Sequence, residues 1–206
     1  MSDTLDKPHT VQYIRHTPFR QIRWAHKMID IAEILDYWSF WSRPIPASTP
    51  RNIALPARLY DQLALVIQGV RRCGKSTLLS QMVNFYSLET KNCFFLNFED
   101  ARLLDHLGPQ LLDMMVQYGR GLHGQGTPLY FFLDEIQHVP GWERWLNTQL
   151  ERPAGNYFVI TGSNSSLLSG ELASSMTGRY TALELYPFDF SEFKLATTSQ
   201  RAGRDR

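Results

Sequence analysis

The densest chemistry in this sequence lies in nine consecutive residues, Gly69-Val70-Arg71-Arg72-Cys73-Gly74-Lys75-Ser76-Thr77. Their spacing is G-x-x-x-x-G-K-[ST], the pattern of a loop that cradles phosphate. Gly69 and Gly74 let the backbone turn tightly and approach anionic oxygens with no Cβ in the way. The N–H groups that follow open a helix, and a helix N-terminus favours negative charge. Lys75 is placed to reach the β- and γ-phosphates as a point charge, and the Ser76 hydroxyl to ligate Mg²⁺. Arg71 and Arg72 inside the loop touch phosphate or a partner, or are simply solvated. Cys73 reads as a small loop filler, with a reactive thiol as the alternative.

A second cluster follows the apolar run Leu129-Tyr-Phe-Phe-Leu133, which ends in Asp134-Glu135. A carboxylate at the C-terminal end of a buried parallel strand faces the ligand crevice. Asp134 is therefore placed to hold Mg²⁺, and Glu135 to polarise an attacking water as general base. A third cluster, Thr161-Gly-Ser163-Asn164, ends another apolar run. Ser163 and Asn164 are both candidates for sensing the terminal phosphate, against a reading of both as helix caps. Arg179 precedes a further strand and is a candidate arginine finger toward a neighbouring subunit, against a reading as a surface residue.

These groups need strands and helices to aim them. The expected elements alternate: strands at 63–68, 93–98, 129–133, 157–161 and 180–186, and helices at 76–86, 101–118, 142–151 and 165–176. The second helix is expected to break near Gly108-Pro109. Such alternation implies βαβ units and a mostly parallel sheet covered on both faces. Near-continuous apolar strands are what that burial requires.

Upstream, Trp24, Met28, Ile31, Leu35 and Trp38 fall on one face of a helix expected over 19–41, roughly 35 Å long. That face either covers an edge of the sheet or forms a partner or self-association surface. The segment Ser42–Pro50 holds three prolines and reads as a stiff linker. After 193 the chain carries four basic residues and one acidic, and is expected to be disordered. The resulting division is 1–50, an N-terminal helical segment and Pro-rich linker; 51–193, a nucleotide-binding core; and 194–206, a basic tail.

Length and composition bound these readings. The chain has 206 residues, of which 43% are hydrophobic and 13% aromatic. That is enough for one ordinary domain and too apolar for disorder throughout. The formal net charge is +1, which argues against nucleic acid as a partner. No run of about 18 apolar residues exists to cross a membrane, and the start lacks the basic and apolar regions of a signal peptide. Two cysteines make no disulfide framework, so a cytoplasmic location is expected.

Taken in order, these blocks resemble a prokaryotic family of AAA-type P-loop ATPases in which the AAA domain is usually followed by a C-terminal domain of unknown function. The resemblance runs from about Leu63 to Phe193. It rests on the phosphate loop, on a Walker B block Leu133-Asp-Glu-Ile-Gln137 followed by Val139-Pro-Gly-Trp-Glu143, and on a sensor block Ile160–Leu168. An arginine block Met176-Thr-Gly-Arg-Tyr180 and a closing block Leu185-Tyr-Pro-Phe-Asp-Phe-Ser-Glu-Phe193 complete it. Cys73 stands where the family has serine. The resemblance implies an α/β three-layer sandwich with a five-stranded sheet of order 5-1-4-3-2. It also implies ATP with Mg²⁺ and hydrolysis coupled to an unknown protein partner, with homo-oligomerisation through Arg179 and the Trp-rich helix. The alternative is a nucleotide-dependent binding module or switch with little or no hydrolysis, because the expected C-terminal half does not follow.

Overall fold

The computed structural model describes residues 30–41, 44–162, 176 and 178–202. Among these described residues, ten regular elements follow one another: α1 (Ile31–Trp38), β1 (Ala64–Gln68), α2 (Lys75–Phe85), β2 (Cys93–Asn97), α3 (Pro109–His123), β3 (Leu129–Asp134), α4 (Trp142–Glu151), β4 (Asn156–Gly162), β5 (Tyr180–Glu184) and α5 (Phe190–Ala202). Short 3-10 turns at Thr90–Asn92, Ala101–His106 and Ile136–His138 lie between them. The five strands form one sheet of order β2-β3-β4-β1-β5, and every pairing is parallel. Read from the other edge, this is the expected 5-1-4-3-2.

The strands are apolar along their whole length because both faces are covered. Residues alternate between two cores. Phe94, Leu96, Phe131, Leu133, Phe158 and Ile160 face α1, α3 and α4. Leu65, Ile67, Phe95, Phe132 and Val159 face α2 through Leu78, Leu79, Met82 and Val83. Aromatic rings stack across the register, as cross-strand neighbours can. Phe94 lies on Phe131 at 5.2 Å, Phe131 on Phe158 at 5.4 Å, and Phe95 on Phe132 at 4.4 Å. The result is a helix–sheet–helix sandwich.

The N-terminal helix is shorter than its sequence pattern at the C-terminal end. Asp30 caps α1 by accepting from the amides of Ala32 and Glu33, and the helix stops at Trp38, an ordinary use of aspartate. Residues 39–41 then turn onto the open edge of β2. The Ser39 hydroxyl accepts from the Phe95 amide (3.1 Å), and the Trp41 indole donates to the Cys93 carbonyl (2.8 Å). These bonds satisfy ladder groups that an edge strand otherwise leaves open. Trp24 and Met28 lie outside the described residues.

The Pro-rich segment forms no regular element over 44–50 and is anchored: Ile45 packs against the α2 core, as do Ile53, Leu55 and Leu59 after it, and the Gln81 amide donates to the Thr49 carbonyl (2.7 Å). One further expectation is corrected. Residues 194–202 are not disordered but continue α5. Asp189 and Glu192 form a capping box at its start. The Glu192 amide donates to Asp189 Oδ1 (2.8 Å), and the Asp189 amide to Glu192 Oε2 (2.9 Å). A locally capped helix needs little hydrophobic content to form, which is why composition alone misses it. Gly108-Pro109 does interrupt helix, leaving the 3-10 turn before it and α3 with Pro109 in its first turn, where a missing N–H costs nothing. The helix expected over 165–176 falls outside the described residues, except for Met176.

Candidate functional site

Parallel strands deliver their last residues to one edge of the sheet. There β1 ends at Gln68 and runs into the phosphate loop, β2 ends at Asn97, β3 at Asp134 and β4 at Gly162. Gly74 adopts a left-handed conformation (φ 98°) as it opens α2, which explains why a glycine is needed there. Gly69 is required for space instead. A Cβ on it would run into the Leu185 carbonyl oxygen and lie 2.6 Å from Cys73 Sγ.

Lys75 is buried, 4% exposed, and sits inside its own loop. Its Nζ donates to the carbonyls of Gly69 (3.2 Å) and Val70 (3.4 Å) and pairs with Glu135 Oε1 at 3.4 Å. All three contacts are long, so the ammonium is held loosely. The Ser76 hydroxyl donates to Asp134 Oδ2 at 2.6 Å. The same oxygen accepts from Asn97 Nδ2 (3.1 Å), while Oδ1 accepts from the Thr161 hydroxyl (2.5 Å). Burial is the largest influence on Asp134 and pushes its pKa up; Glu135 adds to that, against the hydroxyls of Ser76 and Thr161 and the charge of Lys75. Burial acts this way because it penalises the charged form.

Glu135 has a left-handed backbone (φ 56°), a strained conformation for a non-glycine residue. It is fixed by its amide, which donates to Thr161 Oγ1 (3.0 Å), and by Gln137 Nε2, which donates to its carboxylate (2.7 Å). Thr161 thus bonds both acids, one through each role of its hydroxyl.

The structure therefore brings Gly69, Gly74, Lys75, Ser76, Asp134 and Glu135 together. Cys73 is buried, with its sulfur against Gly69, as a filler would be. Val70 and Thr77 are exposed loop and first-turn positions. Arg72 is exposed with φ 66°. Arg71, 82% exposed, lies 3.8 Å from Glu99, which is also 3.8 Å from His138. Arg179 is not drawn into this cluster. Its guanidinium pairs with Glu151 of α4 at 2.8 Å. Ser163 and Asn164 lie outside the described residues.

The sequence profile of the AAA domain matches residues 61–194. The chain belongs to the AAA-domain family. Membership supports a nucleotide-binding function of the ATPase type. This AAA domain is 39% identical over 131 residues to an uncharacterised protein of Haemophilus influenzae, covering 62% of this chain and 32% of that relative. It is 38% identical over 142 residues to an uncharacterised protein of Methanocaldococcus jannaschii, covering 69% of this chain and 30% of that one. The chain thus spans about a third of the length of these relatives. Among solved structures it is similar to C. elegans PCH-2, with a TM-score of 0.45 and 15% identity over 68% of this chain and 40% of the other. It is similar in the same degree to a DNA replication initiation factor, with a TM-score of 0.45 and 18% identity over 68% and 45% of the two chains.

Sequence reasoning missed four members of this AAA domain's site. Asn97 pairs in register with Asp134, so a polar residue ending the neighbouring apolar run was the available signal. Thr161 ends a buried run in the same way. Arg51 and Glu192 meet at 2.9 Å across 141 residues of chain, and no local spacing announces that. Among the described residues, no helix is long and apolar enough to cross a membrane.

Proposed function

We propose that this AAA domain binds ATP with Mg²⁺ and hydrolyses it, coupling turnover to a protein partner. One observation carries the reading: the Ser76 hydroxyl meets the buried Asp134 carboxylate at 2.6 Å while the neighbouring Lys75 faces Glu135. Ser76 and Asp134 offer hard oxygen donors that fit Mg²⁺. No group of three or more His, Cys, Asp or Glu among the described residues forms a metal cage, as suits an ion that keeps waters and takes phosphate oxygens. When bound, Mg²⁺ neutralises charge on the β- and γ-phosphates.

The protein's own residues supply the rest. Loop amides and Lys75 hold the phosphates, and Lys75 leaves the Gly69 and Val70 carbonyls to do so. That movement frees Glu135. Its carboxylate then accepts a proton from the water that attacks the γ-phosphorus as the bond to ADP breaks. Ser163 or Asn164 senses the terminal phosphate. In a homo-oligomer, Arg179 leaves Glu151 and reaches a neighbour's nucleotide, with the N-terminal Trp-rich helix as a further contact. Two free, buried cysteines suit a reducing cytoplasm. A net charge of +1 gives nucleic acid little hold.

A second reading, a nucleotide switch with little hydrolysis, is favoured by the restraint on Glu135. Lys75 and Gln137 both occupy its carboxylate. Calorimetric titration and phosphate release separate the readings. Wild type should bind ATP with Mg²⁺ and turn it over. Lys75→Ala should lose most of the affinity. Glu135→Gln should bind yet turn over about 100-fold or more slowly, the usual scale of a lost general base. Tight binding with ATP intact after hours selects the switch. Equal turnover in wild type and Glu135→Gln removes Glu135 as the base.

A further inference from the structure

Arg51 is the most heavily engaged arginine near the loop and plays no part in the chemistry described above. It stands well before the loop in sequence, yet its side chain is only 4% exposed. Nη1 donates to the Cys73 carbonyl at 2.6 Å, Nη2 to the Tyr186 carbonyl at 2.5 Å and Nε to Glu192 Oε1 at 2.9 Å. The guanidinium also lies 4.9 Å from the centre of the Phe188 ring. Glu192 is buried in turn. It accepts from the amides of Asn52 (2.6 Å) and Asp189 (2.9 Å) as well as from Arg51. All three guanidinium nitrogens and both Glu192 oxygens thus have partners, so the geometry is rigid.

The Cys73 carbonyl matters because of what it shares a plane with. No peptide bond among the described residues is cis, so the carbonyl of Cys73 and the N–H of Gly74 point in opposite directions across one planar unit. Gripping that oxygen from outside aims the Gly74 amide away from Arg51. Gly74 opens α2, where N–H groups face an anion. The other end of the loop abuts the same segment. Gly69 packs against the Leu185 carbonyl, and the Leu185 amide donates to the Gln68 carbonyl at 2.7 Å. Both ends of the phosphate loop are therefore braced by residues 185–192.

We infer that Arg51, locked by Glu192, is a positioning residue that preorganises the phosphate loop, and that phosphate binding and the seating of the 186–192 segment are energetically coupled through it. This rests on the nucleotide-binding reading of the loop. Coupling of this kind is reciprocal: what the seated segment does for phosphate affinity, bound phosphate does for the segment. Lysine at 51 keeps the charge but lacks the planar fork that holds three acceptors at once.

The test uses the full chain and inorganic tripolyphosphate, which probes the loop without an adenine contribution, alongside ATP. Arg51→Lys should bind tripolyphosphate about tenfold more weakly, the scale of one charge-assisted hydrogen bond lost. Glu192→Gln should lose several-fold. Arg120→Lys is the control, because Arg120 ties the Thr127 and Ala154 carbonyls together away from the loop. It should melt at a lower temperature yet bind as wild type does. In wild type, tripolyphosphate should also slow hydrogen exchange at the Asn52 and Asp189 amides, and in Glu192→Gln that protection should be largely lost. Wild-type affinity in folded Arg51→Lys, or in Glu192→Gln if Arg51→Lys does not fold, overturns the inference and leaves the nucleotide reading standing. A wild-type chain that binds neither tripolyphosphate nor ATP overturns both.

Discussion

At the scale of single residues, the site is built from groups that make tight contacts with no spare volume. Gly69 shows this best. The Leu185 carbonyl and the Cys73 sulfur occupy the space a side chain would need, so Gly69→Ala must move the backbone of β1 or of the 185–192 segment. We expect a loss of about 1–3 kcal/mol, as overpacking usually costs, visible as a lower midpoint in urea. Because Gly69 and Cys73 belong to the loop, ATP affinity should fall as well. A Gly69→Ala protein with wild-type affinity would show that the loop tolerates the shift. Lys75, Ser76, Asp134 and Glu135 are legible in sequence because each stands at a fixed offset from a glycine or an apolar run. Asn97 and Thr161 carry only the mark of a polar residue ending an apolar run, and Arg51 carries none, because their importance comes from the atoms they meet: Asp134 Oδ2, Asp134 Oδ1 and the Cys73 carbonyl.

At the scale of elements, the N-terminal helix illustrates how a pattern becomes a contact. Ile31 and Leu35 bury α1 in the core, as their spacing implies, and Ile34 joins them there. The helix ends at Trp38 because Ser39 and Trp41 are drawn to the open edge of β2, and an unmet ladder group there outweighs another turn of helix. Asp100 pins the arrangement. It accepts from the Trp38 indole at 2.8 Å and pairs with Arg102 at 2.6 Å, and Arg102 also lies over the Tyr37 ring. The Arg102 guanidinium, aided by the Arg102 amide and the Trp38 indole, outweighs burial and holds the carboxyl down at about 2. A depressed carboxylate contributes stability above its ordinary pKa and loses it as pH falls through the folded value. Here that window runs from the ordinary 3.8 down to about 2. Wild type should therefore melt above Asp100→Asn at pH 7, and the gap should close between about pH 4 and pH 2. A gap that persists unchanged at pH 2 would show that the charge is not what holds α1.

At the scale of the whole molecule, a short N-terminal segment is part of the AAA domain's interior. Ile31, Ile34, Leu35 and Phe40 are buried, and Trp38 and Trp41 pack against the cores. Burying each such side chain contributes roughly 1.5–3 kcal/mol, and whole domains are stable by only about 5–15 kcal/mol. Removing residues 1–43 should therefore abolish a cooperative melting transition and expose the β2 edge to association. Scanning calorimetry and light scattering would read both. A cooperative, monodisperse truncated chain would return the Trp-bearing face to the role of a partner surface.

The sequence by itself determined the alternation of strands and helices, the sheet order through its family blocks, and the offsets of Lys75, Ser76, Asp134 and Glu135, which the fold gathers at one edge of the sheet. These are local patterns, set by which side chains a buried strand tolerates and which a tight loop requires. Only the tertiary structure decided that Arg51 and Glu192 brace the loop, that Thr161 and Asn97 complete the shell around Asp134, that Arg179 rests on Glu151, and that the N-terminal segment seals β2. Each of these joins residues far apart in the chain, and hydrogen-bond satisfaction in a buried site is a property of positions in space, which no spacing along the chain encodes.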